Sequence, residues 1–66
     1  MIMKTDIDAE LKLISGFVIK GNYHAAMNIS ISALNKCRQQ DNQEGVNTFL
    51  GMIRKITEHM TEKYGG

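Results

Sequence analysis

The chain has no proline and no tryptophan, and its 66 residues include only one cysteine. Without proline, nothing interrupts a helix by removing a backbone donor. The lone Cys37 excludes an internal disulfide, and no group of cysteines and histidines has the spacing of a structural zinc site. A chain this short usually needs a disulfide, a bound metal or a partner subunit to be stable, so association is the expected source of extra stability.

The chain also has no large excess of positive or negative charge. Eight basic residues oppose seven acidic ones, so no strong field points to nucleic acid or to a membrane surface. The longest apolar runs near the N-terminus have three residues, as at 17–19, and are far too short for a signal-peptide core or a membrane span. A free cysteine with no export signal favours the cytoplasm.

The clearest positive feature is an apolar stripe near the C-terminus, at Val46, Phe49, Ile53, Ile56 and Met60. Its spacing of three and four residues predicts a helix with a sustained packing face. Leu50 and Met52 widen the stripe. A folded chain of this length buries only about 60% of its extended surface. We therefore expect these seven residues to be shared between the chain's own core and a second copy in a homodimer.

The pattern predicts one all-α domain over residues 1–66, a helical hairpin with a third helix packed across it. The helices are expected at about 6–20, 22–38 and 42–61, followed by a frayed tail at 63–66. Thr5 and Asp8 resemble a capping box for the first helix, and Gly21 can take the left-handed conformation that ends it.

The second helix is less obvious, because residues 28–32 alternate between polar and apolar, as a strand does. Helix is preferred since alanines flank the run and an isolated strand would have no partner. Asn22 is the expected cap of this helix, and either Asp41 or Asn42 should cap the third.

Residues with catalytic or metal-binding chemistry do not form a recognisable set. His24 and His59 lie on different helices, and His59 with Glu62 would supply only two metal ligands. Cys37 would need a nearby histidine to act as a nucleophile and is more simply a packed core residue. We expect no enzyme activity, no cofactor, no metal and no small-molecule substrate.

DNA binding is not favoured but stays open. Lys36, Arg38, Arg54 and Lys55 could contact phosphates, yet acidic residues match them in number and the third helix is mainly apolar. A dimer could still bring two modest basic patches together.

Two resemblances to known families follow from these segments. Residues 21–26 with Ala33-Leu34 are similar to the centre of a tetratricopeptide repeat, in which a Gly-x-Tyr turn precedes a helix with alanines seven residues apart. This match covers about a third of the chain, and a single repeat cannot bury its own face.

The second resemblance covers more of the chain. The chain has, in order, a short helix with acidic residues at its start, a Lys-Gly-Asn turn, the helical segment 28–34, a polar linker and an apolar last helix. This order resembles that of the YmgB/AriR family of small bacterial regulators. That resemblance implies an all-helical homodimer that contacts regulatory proteins in biofilm formation, acid resistance or two-component signalling.

The predicted function is therefore a regulatory adaptor, or connector, that acts by protein–protein interaction without membrane contact. The alternatives are a small DNA-associated transcriptional or nucleoid regulator, and a chaperone or inhibitor that binds a partner through its helices.

Overall fold

The computed structural model describes residues 6–62 and contains three helices in that range. They are α1 (Ile7–Ile19), α2 (Tyr23–Gln39) and α3 (Gln43–Met60). No strand occurs among the described residues, so the all-α prediction is confirmed. The predicted tail at 63–66 lies outside them.

The first helix is capped by Asp6, whose Oδ1 accepts a hydrogen bond from the Ala9 N–H at 3.1 Å. This bond satisfies one of the amide donors that the first turn leaves unpaired. The carboxylate also lies at the positive end of the helix dipole. Thr5, the residue expected to cap this helix, falls outside the described range.

The turn between α1 and α2 is a Schellman motif centred on Gly21, at φ 79°. The Gly21 N–H donates to the Val18 carbonyl at 3.0 Å, and the Asn22 N–H donates to the Phe17 carbonyl at 2.8 Å. Asn22 then begins α2, with its side chain accepting from the Ala25 N–H at 3.3 Å. The predictions for Gly21 and Asn22 are both confirmed.

The same turn recurs twenty positions later, with Asp41 in the left-handed conformation at φ 54°. The Asp41 N–H donates to the Arg38 carbonyl at 3.2 Å, and the Asn42 N–H to the Cys37 carbonyl at 2.8 Å. Asn42 caps α3 by accepting from the Gly45 N–H at 3.1 Å. Of the two candidate caps, Asn42 is therefore the one used.

The alternating run at 28–32 lies within α2, so the choice of helix is confirmed. Its central residue, Ser30, is fully buried and donates from Oγ to the Ala26 carbonyl at 2.8 Å. Because this bond is made within the helix, the buried hydroxyl needs no partner from another element.

The central helix α2 packs against both α1 and α3, which barely touch each other. The fully buried apolar residues form one cluster across the three helices: Ile14, Ala26, Ala33, Cys37, Phe49 and Ile56. All three α2 members are small, so the larger side chains of its neighbours can approach its backbone closely.

The ends of α2 and α3 show that these two helices are antiparallel. Near one end, a Cβ built at Gly45 would overlap Sγ of Cys37. At the other end, the rings of Tyr23 and His59 stack with centroids 6.1 Å apart. The short turns give the α1–α2 pair the same antiparallel arrangement.

Candidate protein-binding surfaces

The apolar stripe of α3 divides among three environments. Phe49 and Ile56 are fully buried in the core, and Met60 is half-buried against it. Met52 turns toward α1 and lines a groove between those two helices. The remaining stripe residues lie on the side of α3 that is turned away from α1.

Those remaining residues are Val46, Leu50 and Ile53. Met52 and His59 mark the side of α3 that faces α1. Helical spacing places the three residues on the opposite flank. Leu50 is 50% exposed, while the other two are half-buried. This flank of α3 is thus apolar and open.

A second exposed residue, Ile31 of α2, extends this surface. Ile31 is 43% exposed and follows the buried Ser30, about 100° further round the helix. Met52 and His59 fix the side on which α1 lies. Since α2 is a right-handed helix that runs antiparallel to α3, a step of about 100° from Ser30 to Ile31 turns away from α1 and toward the flank beside α3. Met27 and Leu34 lie one turn before and after it and are partly buried against the core.

We call this combined surface the outer face. It consists of six apolar residues, three from α2 and three from α3: Met27, Ile31, Leu34, Val46, Leu50 and Ile53. The sequence predicted the α3 half but not the α2 half. The sequence does contain one indication of the α2 half. Ile29 and Ile31 point about 200° apart on a helix, so they cannot both be buried in one core.

The second surface is the groove between α1 and α3, with a volume of about 290 Å³. It lies beside the N-terminal half of α2, and seven residues line it: Ser15, Val18, Ile19, Met52, Lys55, Ile56 and His59. The sequence did not predict this groove. The groove exists because α1 and α3 both pack on α2 and leave a gap between them. This gap depends on how the helices pack and not on a local sequence pattern.

The residues considered for chemistry lie apart. Cys37 is fully buried near the C-terminal end of α2. His24 lies thirteen residues earlier on the same helix, about 20 Å away along its axis. His59 stacks on Tyr23, also at the distant end. The fold therefore brings neither histidine to the thiol.

Metal ligands are likewise dispersed in the described part of the chain. Between residues 6 and 62, no three His, Cys, Asp or Glu side chains come together in a way that could hold a metal ion. His59 and Glu62, the pair noted in the sequence, are both exposed and gain no third ligand from that range.

The four basic residues considered for DNA contact do not share one side of the molecule. All four are exposed: Lys36, Arg38, Arg54 and Lys55. Lys36 and Arg38 point about 200° apart on α2, and Arg54 and Lys55 about 100° apart on α3. One of them, Lys55, lines the groove. Their directions do not form the single basic face that tracks a phosphate backbone.

No helix within residues 6–62 has the length and apolar character required to cross a membrane. In comparisons by sequence and by fold, no family model, no curated protein and no solved structure matches this chain. The two surfaces described above are therefore the basis for a functional assignment.

Proposed function

We propose that this protein is a small, non-enzymatic regulatory adaptor that forms a homodimer through its outer face. The observation that carries the proposal is the exposure of Leu50 and Ile31, two large apolar side chains that helical spacing places on the same side of α2 and α3. A second copy that presents the same face can cover it in an isologous contact, with α2 and α3 of each copy packed as a four-helix arrangement.

The energetics favour a contact of moderate strength. Burying the exposed half of Leu50 or Ile31 contributes about 1 kcal/mol per residue, hence about 4 kcal/mol for both in both copies. Association itself costs at least about 4 kcal/mol. The half-buried members of the outer face must supply the surplus, so we expect dissociation constants in the micromolar range.

The regulatory role is supported by the resemblance to the YmgB/AriR family. In that setting the dimer would bind a regulatory protein, such as a component of a two-component system that controls biofilm formation, in the cytoplasm of a bacterium. The separation of Cys37 from both histidines favours a binding role over catalysis.

Sedimentation equilibrium at micromolar concentration tests the proposal. The wild-type chain should show a monomer–dimer equilibrium and should be mainly dimeric at concentrations well above the dissociation constant. Leu50→Asp should sediment as a monomer with unchanged helical circular dichroism, because its charge would be buried without a partner in the dimer alone. The matched control is Ile19→Asp, since Ile19 is 85% exposed and lies off the outer face; this variant should stay dimeric.

Either of two results would contradict the proposal. One is a wild-type chain that remains a compact monomer over the whole concentration range. The other is equal weakening of the dimer by Leu50→Asp and Ile19→Asp, which would mean that the outer face has no special part in association.

A further inference from the structure

The groove between α1 and α3 has apolar walls and an open mouth. Its apolar lining residues are Val18, Ile19, Met52 and Ile56. Ile56 is fully buried, whereas Ile19 is 85% exposed at the edge. An isoleucine this exposed gains little from the fold of the single chain, and the groove beside it provides a site where another apolar group can cover it.

The groove carries one positive charge, on Lys55. Its seven lining residues include one lysine and one histidine but no acidic residue. The Lys55 side chain makes no hydrogen bond or ion pair with any other residue of the range 6–62. Its ammonium group is therefore available to a carboxylate from outside the chain.

The size of the groove limits what can occupy it. A volume of about 290 Å³ is at the lower end of the roughly 300–1,000 Å³ typical of small-molecule and cofactor sites. One or two large apolar side chains fill such a space. A helix laid along two parallel helices supplies such side chains at intervals of three and four residues.

We propose that this groove docks an amphipathic, acidic helix of a partner protein. Large apolar side chains of that helix enter between Val18 and Met52, and a flanking carboxylate pairs with Lys55. The inference rests on the proposed adaptor function and deepens it, because it assigns self-association to the outer face and partner binding to the opposite side of α3.

The test uses two synthetic helical peptides with leucines spaced three and four residues apart. In the acidic peptide, glutamates flank the leucines; in the basic peptide, lysines replace those glutamates. Binding is measured by fluorescence anisotropy, and the site is located from amide chemical-shift changes in ¹H–¹⁵N spectra. The acidic peptide should bind more tightly, with the shifts concentrated at residues 15–19 and 52–59.

Charge reversal provides the decisive variant. Lys55→Glu should weaken binding of the acidic peptide by about three- to fivefold, the effect of one exposed ion pair, and strengthen binding of the basic peptide. Lys36→Glu is the matched control, since Lys36 is exposed on α2 and does not line the groove. Lys36→Glu should change the affinities for the acidic and the basic peptide only slightly and by similar amounts.

Several results would overturn the inference. These are an absence of binding by the acidic peptide, shifts centred on Val46, Leu50 and Ile53, and equal effects of Lys36→Glu and Lys55→Glu. The dimer is measured separately by sedimentation, so these failures leave the proposed function standing. Conversely, the monomeric Leu50→Asp variant should still bind the acidic peptide, because that substitution lies outside the groove.

Discussion

Gly21 is held in a left-handed conformation by the turn that joins α1 to α2. A Cβ at this position would meet no atom within 4 Å, so the requirement for glycine comes from φ 79° alone. An L-residue pays about 1–2 kcal/mol in this region of φ and ψ. The equivalent position of the second turn holds Asp41, one of the few non-glycine types that adopts it readily.

From this we predict that Gly21→Ala lowers the free energy of unfolding by about 1 kcal/mol, measured by urea denaturation. Gly51→Ala is the control, because a Cβ there also meets no atom within 4 Å but the residue lies inside α3. That variant should gain about 0.5–1 kcal/mol from helix propensity. A stabilised Gly21→Ala variant would contradict the turn geometry.

Gly45 requires glycine for a different reason, the close approach of α3 to Cys37. A Cβ at Gly45 would overlap Cys37 Sγ and lie 3.2 Å from both Cys37 Cβ and Asn42 Nδ2. Because Cys37 is fully buried, its sulfur has little room to move away.

We predict that Gly45→Ala destabilises the protein by about 1–3 kcal/mol through overpacking, although alanine is the better helix former. A double-mutant cycle with Cys37→Ala checks the cause. Removal of the sulfur should make Gly45→Ala much less costly, with a coupling energy above about 0.5 kcal/mol. Simple additivity of the two substitutions would show that they do not clash.

At the scale of the helix, each start is fixed by one side chain. Asp6, Asn22 and Asn42 each accept a hydrogen bond from the amide three residues later. Each asparagine also donates its backbone N–H to the preceding helix. One residue therefore both closes one helix and opens the next, which allows such short connections.

Asn42→Ala should lower the free energy of unfolding by about 1 kcal/mol, since it leaves an amide of the first turn of α3 without its acceptor. Asn47→Ala is the matched control in the second turn of α3, where the side chain only accepts an exposed hydrogen bond from Gln43. It should be neutral or slightly stabilising. Equal losses in thermal melts of the two variants would rule out a special role for the cap.

The helices could be predicted from local sequence because their signals are local. The three- and four-residue spacing defined α3, and Gly21 and Asn22 marked the boundary between α1 and α2 within one or two residues. The residue type of Asp41 is typical of a helix cap, but its positive φ depends on the turn as a whole and is not visible in the local sequence.

The surfaces were harder to predict because they depend on how helices are placed around α2. Spacing alone puts Phe49 and Leu50 in one broad stripe, yet the first is buried and the second is half-exposed. Sequence also placed Met52 in that stripe, whereas the packing turns it toward α1. The role of the stripe in a dimer stays a prediction.

For the molecule as a whole, self-association makes stability depend on concentration. If folding and dimerisation are coupled, a tenfold rise in protein concentration adds about 1.4 kcal/mol per dimer and raises the melting temperature by about 5 °C. Differential scanning calorimetry across two decades of concentration measures this shift. Leu50→Asp should melt at a temperature independent of concentration, and the same independence in the wild type would exclude a coupled dimer.

The packing of α1 and α3 on α2, with little contact between the outer pair, also governs how the chain folds. Tertiary contacts form mainly between helices that are consecutive in the chain. Few long loops must close before these contacts form, so the contact order is low and folding should be complete within microseconds to milliseconds. Each hairpin can form before the rest of the chain is in place, which suits a protein whose first helix is ready to fold while its last is still being synthesised.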